Sequence, residues 1–261
     1  MMSRVKEIIP GLWRVGGGSW GELAEALSGE GSGNVFLVGG DGEYALIDAG
    51  MPDGVEAVLA NAAGVGAQPE TITRIVLTHS HSDHVMGAPA LKARTGARLA
   101  ASAMAAKALA GDATLRKALF IRHDRIVQAE EILSDGDTVR LGPLTFEVMA
   151  TPGHIPDAVC LLGEVAGHKV LISSDTAIGD QGDARGIVGW LDGHWGSNPK
   201  HYVRTIRRLA ACQAEVMLPG HALPIVGAEK VAESLAHCAE RLEQLLAIAD
   251  LGTMMPLDLA D

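Results

Sequence analysis

The run Ile72-Thr73-Arg74-Ile75-Val76-Leu77 is rich in β-branched and apolar residues, and it stops at Thr78-His79-Ser80-His81-Ser82-Asp83-His84, where three imidazoles and a carboxylate fall within six positions. The first stretch suits a buried strand, so the polar cluster must sit on the loop at that strand's end. Side chains on such a loop can turn inward together on one ion. A polar turn whose histidines bond only to backbone would account for one of them, but not for three beside an aspartate. Imidazole nitrogen and carboxylate oxygen are ligand types that suit zinc, and two ions could share these four groups if further ligands arrive from elsewhere.

Further ligands are available at the ends of other strands. Met149-Ala150-Thr151-Pro152-Gly153-His154 and Val216-Met217-Leu218-Pro219-Gly220-His221 each place one histidine after an apolar run and a Pro-Gly turn. The glycine permits a sharp turn that swings the imidazole toward the mouth of the sheet. Val170-Leu171-Ile172-Ser173-Ser174-Asp175 ends a hydrophobic run in an aspartate. A carboxylate there can give one oxygen to each of two cations, which an imidazole cannot do.

The rest of the chain is read around those strand ends. Asn34 to Val38, the turn Gly39-Gly40-Asp41-Gly42 and Tyr44 to Asp48 have the signature of a hairpin. Asp53 is placed to cap a helix running through Val55, Val58 and Leu59. Helical stretches follow at about 88–95 and 103–110, with a strand at 98–101 between them; the basic segment 111–131 is less regular. Strands are expected at 138–141, 144–149, 158–162 and 170–173, then a helix from Pro199 to about Cys212, a strand at 216–218 and a long amphipathic helix over 228–248. Two β-rich halves with interleaved helices imply a four-layer αββα sandwich, two mixed β-sheets flanked by helices, with residues 1–261 as one domain.

Bulk properties narrow the partners. Hydrophobic residues make up 48% of the chain and aromatics only 3%, so Val, Leu, Ile and Ala must fill the core. A formal charge of −11 repels a phosphate backbone, which disfavours nucleic acid. Cys160, Cys212 and Cys238 are odd in number, widely spaced and without a CxxC pair, as expected of buried free thiols in a reducing compartment. Neither a signal-peptide core nor an apolar run of membrane-spanning length is evident, so the expectation is a soluble cytoplasmic protein, with homo-oligomerisation left open.

The order HxHxDH, PGH, strand-end Asp, PGH, with Asp48 in Leu46-Ile47-Asp48-Ala49-Gly50, resembles the metallo-β-lactamase superfamily of metallohydrolases. That resemblance implies one metal on His79, His81 and His154, a second on Asp83, His84 and His221, and Asp175 bridging them. Asp48 would then support the metal loops by hydrogen bonding. Two divalent ions so close, most readily zinc with iron or manganese as alternatives, would make a shared water acidic enough to supply a hydroxide nucleophile near neutral pH. Asp83 is the candidate proton-handling catalytic residue.

Substrate choice is expected to lie in the surrounding loops. The glycine-rich stretch 177–198 carries Trp190, His194 and Trp195 and reads equally as a mobile lid over a small-molecule pocket or as a packed loop; Trp20, after Gly16-Gly17-Gly18-Ser19, is a further candidate wall. Arg116, Lys117, Arg122 and Arg125 read as a solvated helix face or as a carboxylate-recognising group. Departures from the resembled branches direct the reading within the superfamily. Asp175 sets the chain apart from β-lactamases proper, Ile178 stands where acyl-homoserine lactonases carry a tyrosine, and the chain beyond His221 is short for the helical region of glyoxalase II. His81 stands where flavodiiron oxidoreductases put a glutamate. What fits best is a hydrolase of small-molecule esters, thioesters or lactones. A nuclease or phosphodiesterase, a β-lactamase, a flavodiiron relative and a metal-binding scaffold without turnover are the alternatives.

Overall fold

The computed structural model describes residues 5, 7–18, 26–119, 121, 125–179 and 187–254, with the side chains beyond 248 left out. Strands β1 (Glu7–Ile9), β2 (Leu12–Gly16), β3 (Val35–Gly40), β4 (Glu43–Ile47), β5 (Ile72–Val76), β6 (Arg98–Ser102) and β7 (Glu131–Leu133) form one sheet in that order. Its first strands pair antiparallel and β4 to β7 pair parallel, so the sheet is mixed. The other sheet has the order β13 (Ile225–Val226), β12 (Val216–Pro219), β11 (His168–Ser174), β10 (Val159–Val165), β9 (Leu144–Ala150), β8 (Thr138–Leu141) and is mixed through the parallel β11–β12 pair.

Alternation along these strands sorts their side chains into three apolar layers. Phe36, Val38, Ala45, Ile47 and Val76 meet Val148, Leu161, Ile172 and Leu218 between the sheets. Their neighbours Leu37, Leu46 and Ile75 point the other way, onto α1 (Val55–Gly64) and α3 (Ala88–Thr95). Met149, Cys160, Leu171 and Met217 of the second sheet pack on α6 (Pro199–Ala211) and α7 (Ala228–Met254). The result is the αββα sandwich that the sequence implies. Three further helices, α2 (Ser82–Val85), α4 (Ala103–Leu109) and α5 (Ala113–Ala118), lie on the first half of the chain.

Several expectations need correction. Asp53 does not cap α1: it lies inside a 3-10 turn, Pro52–Gly54, and Gly54 takes the N-cap without a side-chain bond. The segment 111–131 contains α5, whose cap, Asp112, accepts from Leu115 N at 2.9 Å. The cysteines are unpaired, but Cys212 is only half-buried. Among the described residues no helix is long and apolar enough to cross a membrane.

Candidate metal centre

The strand ends converge on one edge of the sandwich. β5 delivers His79, His81, Asp83 and His84, the last two on the single turn of α2; β9 delivers His154, β11 Asp175 and β12 His221. Donor atoms of His79, His81, His154 and Asp175 lie within 4.8 Å of one another, and those of Asp83, His84 and His221 form a second such set. His154 Nε2 is 2.9 Å from His81 Nδ1 and 3.6 Å from Asp175 Oδ2. His221 Nε2 is 3.1 Å from Asp83 Oδ2 and 3.4 Å from His84 Nε2. Asp175 reaches the second set too, at 3.4 Å from His84 and 3.5 Å from His221.

These spacings test whether cations fit. Four ligands held tetrahedrally at about 2.0–2.1 Å are about 3.3–3.4 Å apart, close to the separations seen. His79 Nε2 and Asp175 Oδ1 are buried without a hydrogen-bond partner, a costly arrangement that a cation would relieve. Two divalent ions fit these donor sets.

The outer nitrogens fix the ring orientations. His84 Nδ1 is 2.8 Å from Asp48 Oδ2, while Asp48 Oδ1 accepts from the Thr78 amide at 2.8 Å and its hydroxyl at 3.0 Å. His154 Nδ1 donates to the Trp190 carbonyl at 2.7 Å, and His79 Nδ1 faces the Thr78 and Ser174 hydroxyls at 3.1 and 3.4 Å. The carbonyl and carboxylate acceptors hold a proton on the outer nitrogens of His154 and His84 and turn Nε2 of each ring toward the cleft.

Charge divides the two sets. Burial holds His79 well below the ordinary imidazole range, lowers His154 and brings His81 down to about 3, so all three stay neutral. Burial acts the same way on His84 and His221, but the carboxylates of Asp175 and Asp83 outweigh it, raising His84 and bringing His221 up to about 9. Asp175 is held well below the usual carboxylate range, the pull of His84 and His221 overcoming its burial. Without metal the second set is therefore balanced by protons, which a cation would displace.

Close packing supports this arrangement. A Cβ on Gly220 would lie 2.0 Å from Asp175 Oδ1, and one on Gly33 would lie 2.6 Å from the His84 ring. The residues that brace the loops carried no local signature. Asn34 Nδ2 donates to the carbonyls of Pro219 and Ala222 on either side of the His221 loop, and Arg14 Nε donates to Asn34 Oδ1 at 2.6 Å. Tyr202 Oη accepts from Gly189 N at 2.8 Å and lies 3.0 Å from the Asp175 carbonyl. Tyr202 falls inside the helix expected from Pro199 to about Cys212, where nothing local signals this contact.

Above the donors lies a cleft of about 280 Å³ lined by His81, Ser82, Asp83, Asp175, Trp190, Trp195 and His221. Trp190 and Trp195 thus stand at the cleft, whereas His194 is 79% exposed with its ring on Asp192 at 2.8 Å and is not among the lining residues described. Trp20, Arg122 and residues 180–186 of the glycine-rich stretch lie outside the described residues. Ile178 and Ile187 pair as a β-bridge. Arg116 and Lys117 occupy the last turn of α5, and no described arginine or lysine lines this cleft.

Residues 28–221 match the profile of the metallo-beta-lactamase superfamily. This chain belongs to that superfamily. Among curated relatives, a hydroxyacylglutathione hydrolase of a Methylobacterium species is 43% identical over 106 residues, 41% of this chain and 34% of that one. Another, from Cereibacter sphaeroides, is 29% identical over 189 residues, 71% of this chain and 61% of its own length. This superfamily member thus spans about a third to three fifths of those two relatives. Among solved structures, a Cronobacter sakazakii metallo-beta-lactamase aligns with a TM-score of 0.72 at 22% identity, covering 94% of this chain and 95% of that one. The subclass B3 enzyme BJP-1 of Bradyrhizobium japonicum aligns with a TM-score of 0.68 at 19% identity, covering 95% and 96%. At these identities the likeness is one of fold.

Proposed function

We propose that this chain is a dinuclear metal-dependent hydrolase of a small-molecule ester, thioester or lactone. The observation that carries the reading is the pair of donor sets sharing Asp175 at the floor of a cleft open to a small molecule. In this reading His79, His81 and His154 would hold one ion and Asp83, His84 and His221 the other, with the Asp175 carboxylate within reach of both sets. Two divalent ions bound there would make water acidic enough to act as a nucleophile near neutral pH and would polarise the oxygen under attack. Zinc suits this nitrogen-rich set, with iron and manganese as alternatives.

The chain's own groups do the rest. Asp83 lines the cleft with its side chain 31% exposed, so its carboxylate can take the proton of the attacking water and return it to the departing oxygen or sulfur. Water then contributes OH to the acyl carbon and H to the leaving group, and the products are an acid and an alcohol or thiol. Trp190 and Trp195 wall the cleft and offer an apolar surface to the substrate beside the reacting bond. The curated relatives named as hydroxyacylglutathione hydrolases support the thioester branch, and the charge of −11 supports a small molecule over nucleic acid. A cytoplasmic location accords with unpaired thiols.

Metal analysis by mass spectrometry together with a panel of esters, thioesters, lactones, a β-lactam and a phosphodiester tests the reading. The expected result is two metals per chain and turnover of a carboxylic substrate, lost by at least about a thousandfold in His79→Ala because the nucleophile depends on the site. Bound flavin with two irons, or His79→Ala equal to the parent across the panel, would sink it.

A further inference from the structure

The two tryptophans at the cleft stand over different halves of the donor cluster. Trp195 packs edge-on against His81 and His154, with ring centroids 4.7 and 6.0 Å apart, whereas Trp190 lies 6.4 Å from His221. The same two indoles, with Leu191 and Asp192, also line an outer recess of about 380 Å³. The reaction cleft and this recess therefore share Trp190 and Trp195 as a common wall.

The chemistry of the recess limits what can enter it. Trp190 leaves 56% of its surface open, and an indole so exposed beside a metal cleft is a surface waiting to be covered. Indole faces take flat apolar rings by offset or edge-on stacking, at little cost in conformational entropy because the side chain has only two torsions. Asp192 adds a carboxylate, which accepts from the His194 amide and faces its ring nitrogen, both at 2.8 Å. A second negative charge placed there would be repelled.

Resting on the hydrolase reading above, we propose that the outer recess is a subsite for an aromatic, uncharged acyl group, seated on Trp190 and Trp195 so that its carbonyl falls in the inner cleft. The subsite selects for flat apolar acyl chains and against those ending in a carboxylate. Specificity is then set by the loop 190–195, and the metal loops stay common to every substrate.

A matched series of N-acetylcysteamine thioesters tests this with the zinc-loaded protein: acetyl, 2-naphthylacetyl and 6-carboxy-2-naphthylacetyl. The naphthyl ester should exceed acetyl in kcat/KM by about tenfold, chiefly through KM, and Trp190→Ala should bring that ratio back toward unity. Trp190→Phe should retain part of it. The carboxylated analogue should fall below its neutral parent and recover in Asp192→Asn. A ratio unchanged in Trp190→Ala, or a carboxylated analogue that outperforms the neutral one, would overturn the subsite. If no thioester is cleaved while two metals are bound, the thioester branch of the hydrolase reading fails, and the subsite is judged by titrating 2-naphthylacetamide against tryptophan fluorescence. Binding weakened about tenfold in Trp190→Ala upholds it, and equal binding by variant and parent removes it.

Discussion

Asp48 adopts a left-handed backbone conformation, with φ of +60°, that aims its carboxylate beneath the histidine cluster. One oxygen holds the Thr78 amide and hydroxyl, and the other orients His84. In Asp48→Asn an amide N–H can occupy the place of the second oxygen. The proton of His84 then moves to Nε2, where a lone pair is needed. We expect the affinity of the second metal to fall by about 10–100-fold, read as zinc content dropping toward one per chain during dialysis against a weak chelator. Asp157 is buried near Ser80 with neither oxygen in a well-formed hydrogen bond, and burial pushes its carboxyl up to about 6 against a pull from Ser80. The unfolded carboxyl titrates near 3.8, so the folded state binds this proton more tightly. Stability from this group therefore rises as pH falls through 6 and levels off below 4. Above pH 6 the buried charge costs on the order of 2–3 kcal/mol. Asp157→Asn should gain on the parent between pH 4 and 6 in urea unfolding, and a stability difference independent of pH over that range would refute the assignment.

Among the elements, α6 does more than cover a sheet. Asn198 caps it by accepting from the Lys200 and His201 amides at 3.0 and 3.1 Å, which fixes where the helix begins. One turn in, Tyr202 is fully buried and its hydroxyl ties Gly189 to the backbone of Asp175 and Thr176. The helix thus connects the strand end that carries Asp175 to the loop that carries the tryptophans. Tyr202→Phe leaves the Gly189 N–H without a buried partner, at a cost of about 1–3 kcal/mol. Denaturant titration should show that loss, and hydrogen exchange should show faster opening around residue 189 than in β9 or β10.

At the scale of the whole molecule, the donor sets join the two sheets. His79 to His84 follow the end of β5 in the first sheet, while His154, Asp175 and His221 follow strands of the second. Bound ions would cross-link the sheets at that edge, so metal removal should lower stability as well as abolish turnover. With zinc a hundredfold above its Kd the linkage contributes about 2.7 kcal/mol, which corresponds to about 5–10 °C for a chain of this length. Differential scanning calorimetry with and without a chelator measures it, and an unchanged midpoint would mean that the sheets hold that edge together without metal.

Much of this protein was legible in order along the chain. Apolar β-branched runs that each stop at His, Asp or Pro-Gly-His can only be strands feeding one edge, because alternation buries both faces of the sheets and leaves polar donors at their ends. The sandwich and the gathering of seven candidate donors at strand ends follow from that local pattern, while their division into two sets came from the resemblance to the superfamily. What lies beneath and above the donors does not. Asn34 meets residues 219–222, and Tyr202 meets residues 175 and 189, across separations that no local periodicity encodes. The helical turn of α5 was hidden in a basic, irregular stretch, and Asp53 looked like a cap until the Pro52 turn moved the helix start past it. The sequence determined that histidines and aspartates would meet at strand ends. Only tertiary packing decided which oxygen orients which imidazole, and that Trp190 and Trp195 rather than His194 face the cleft, because those choices depend on how two sheets and a loop come together.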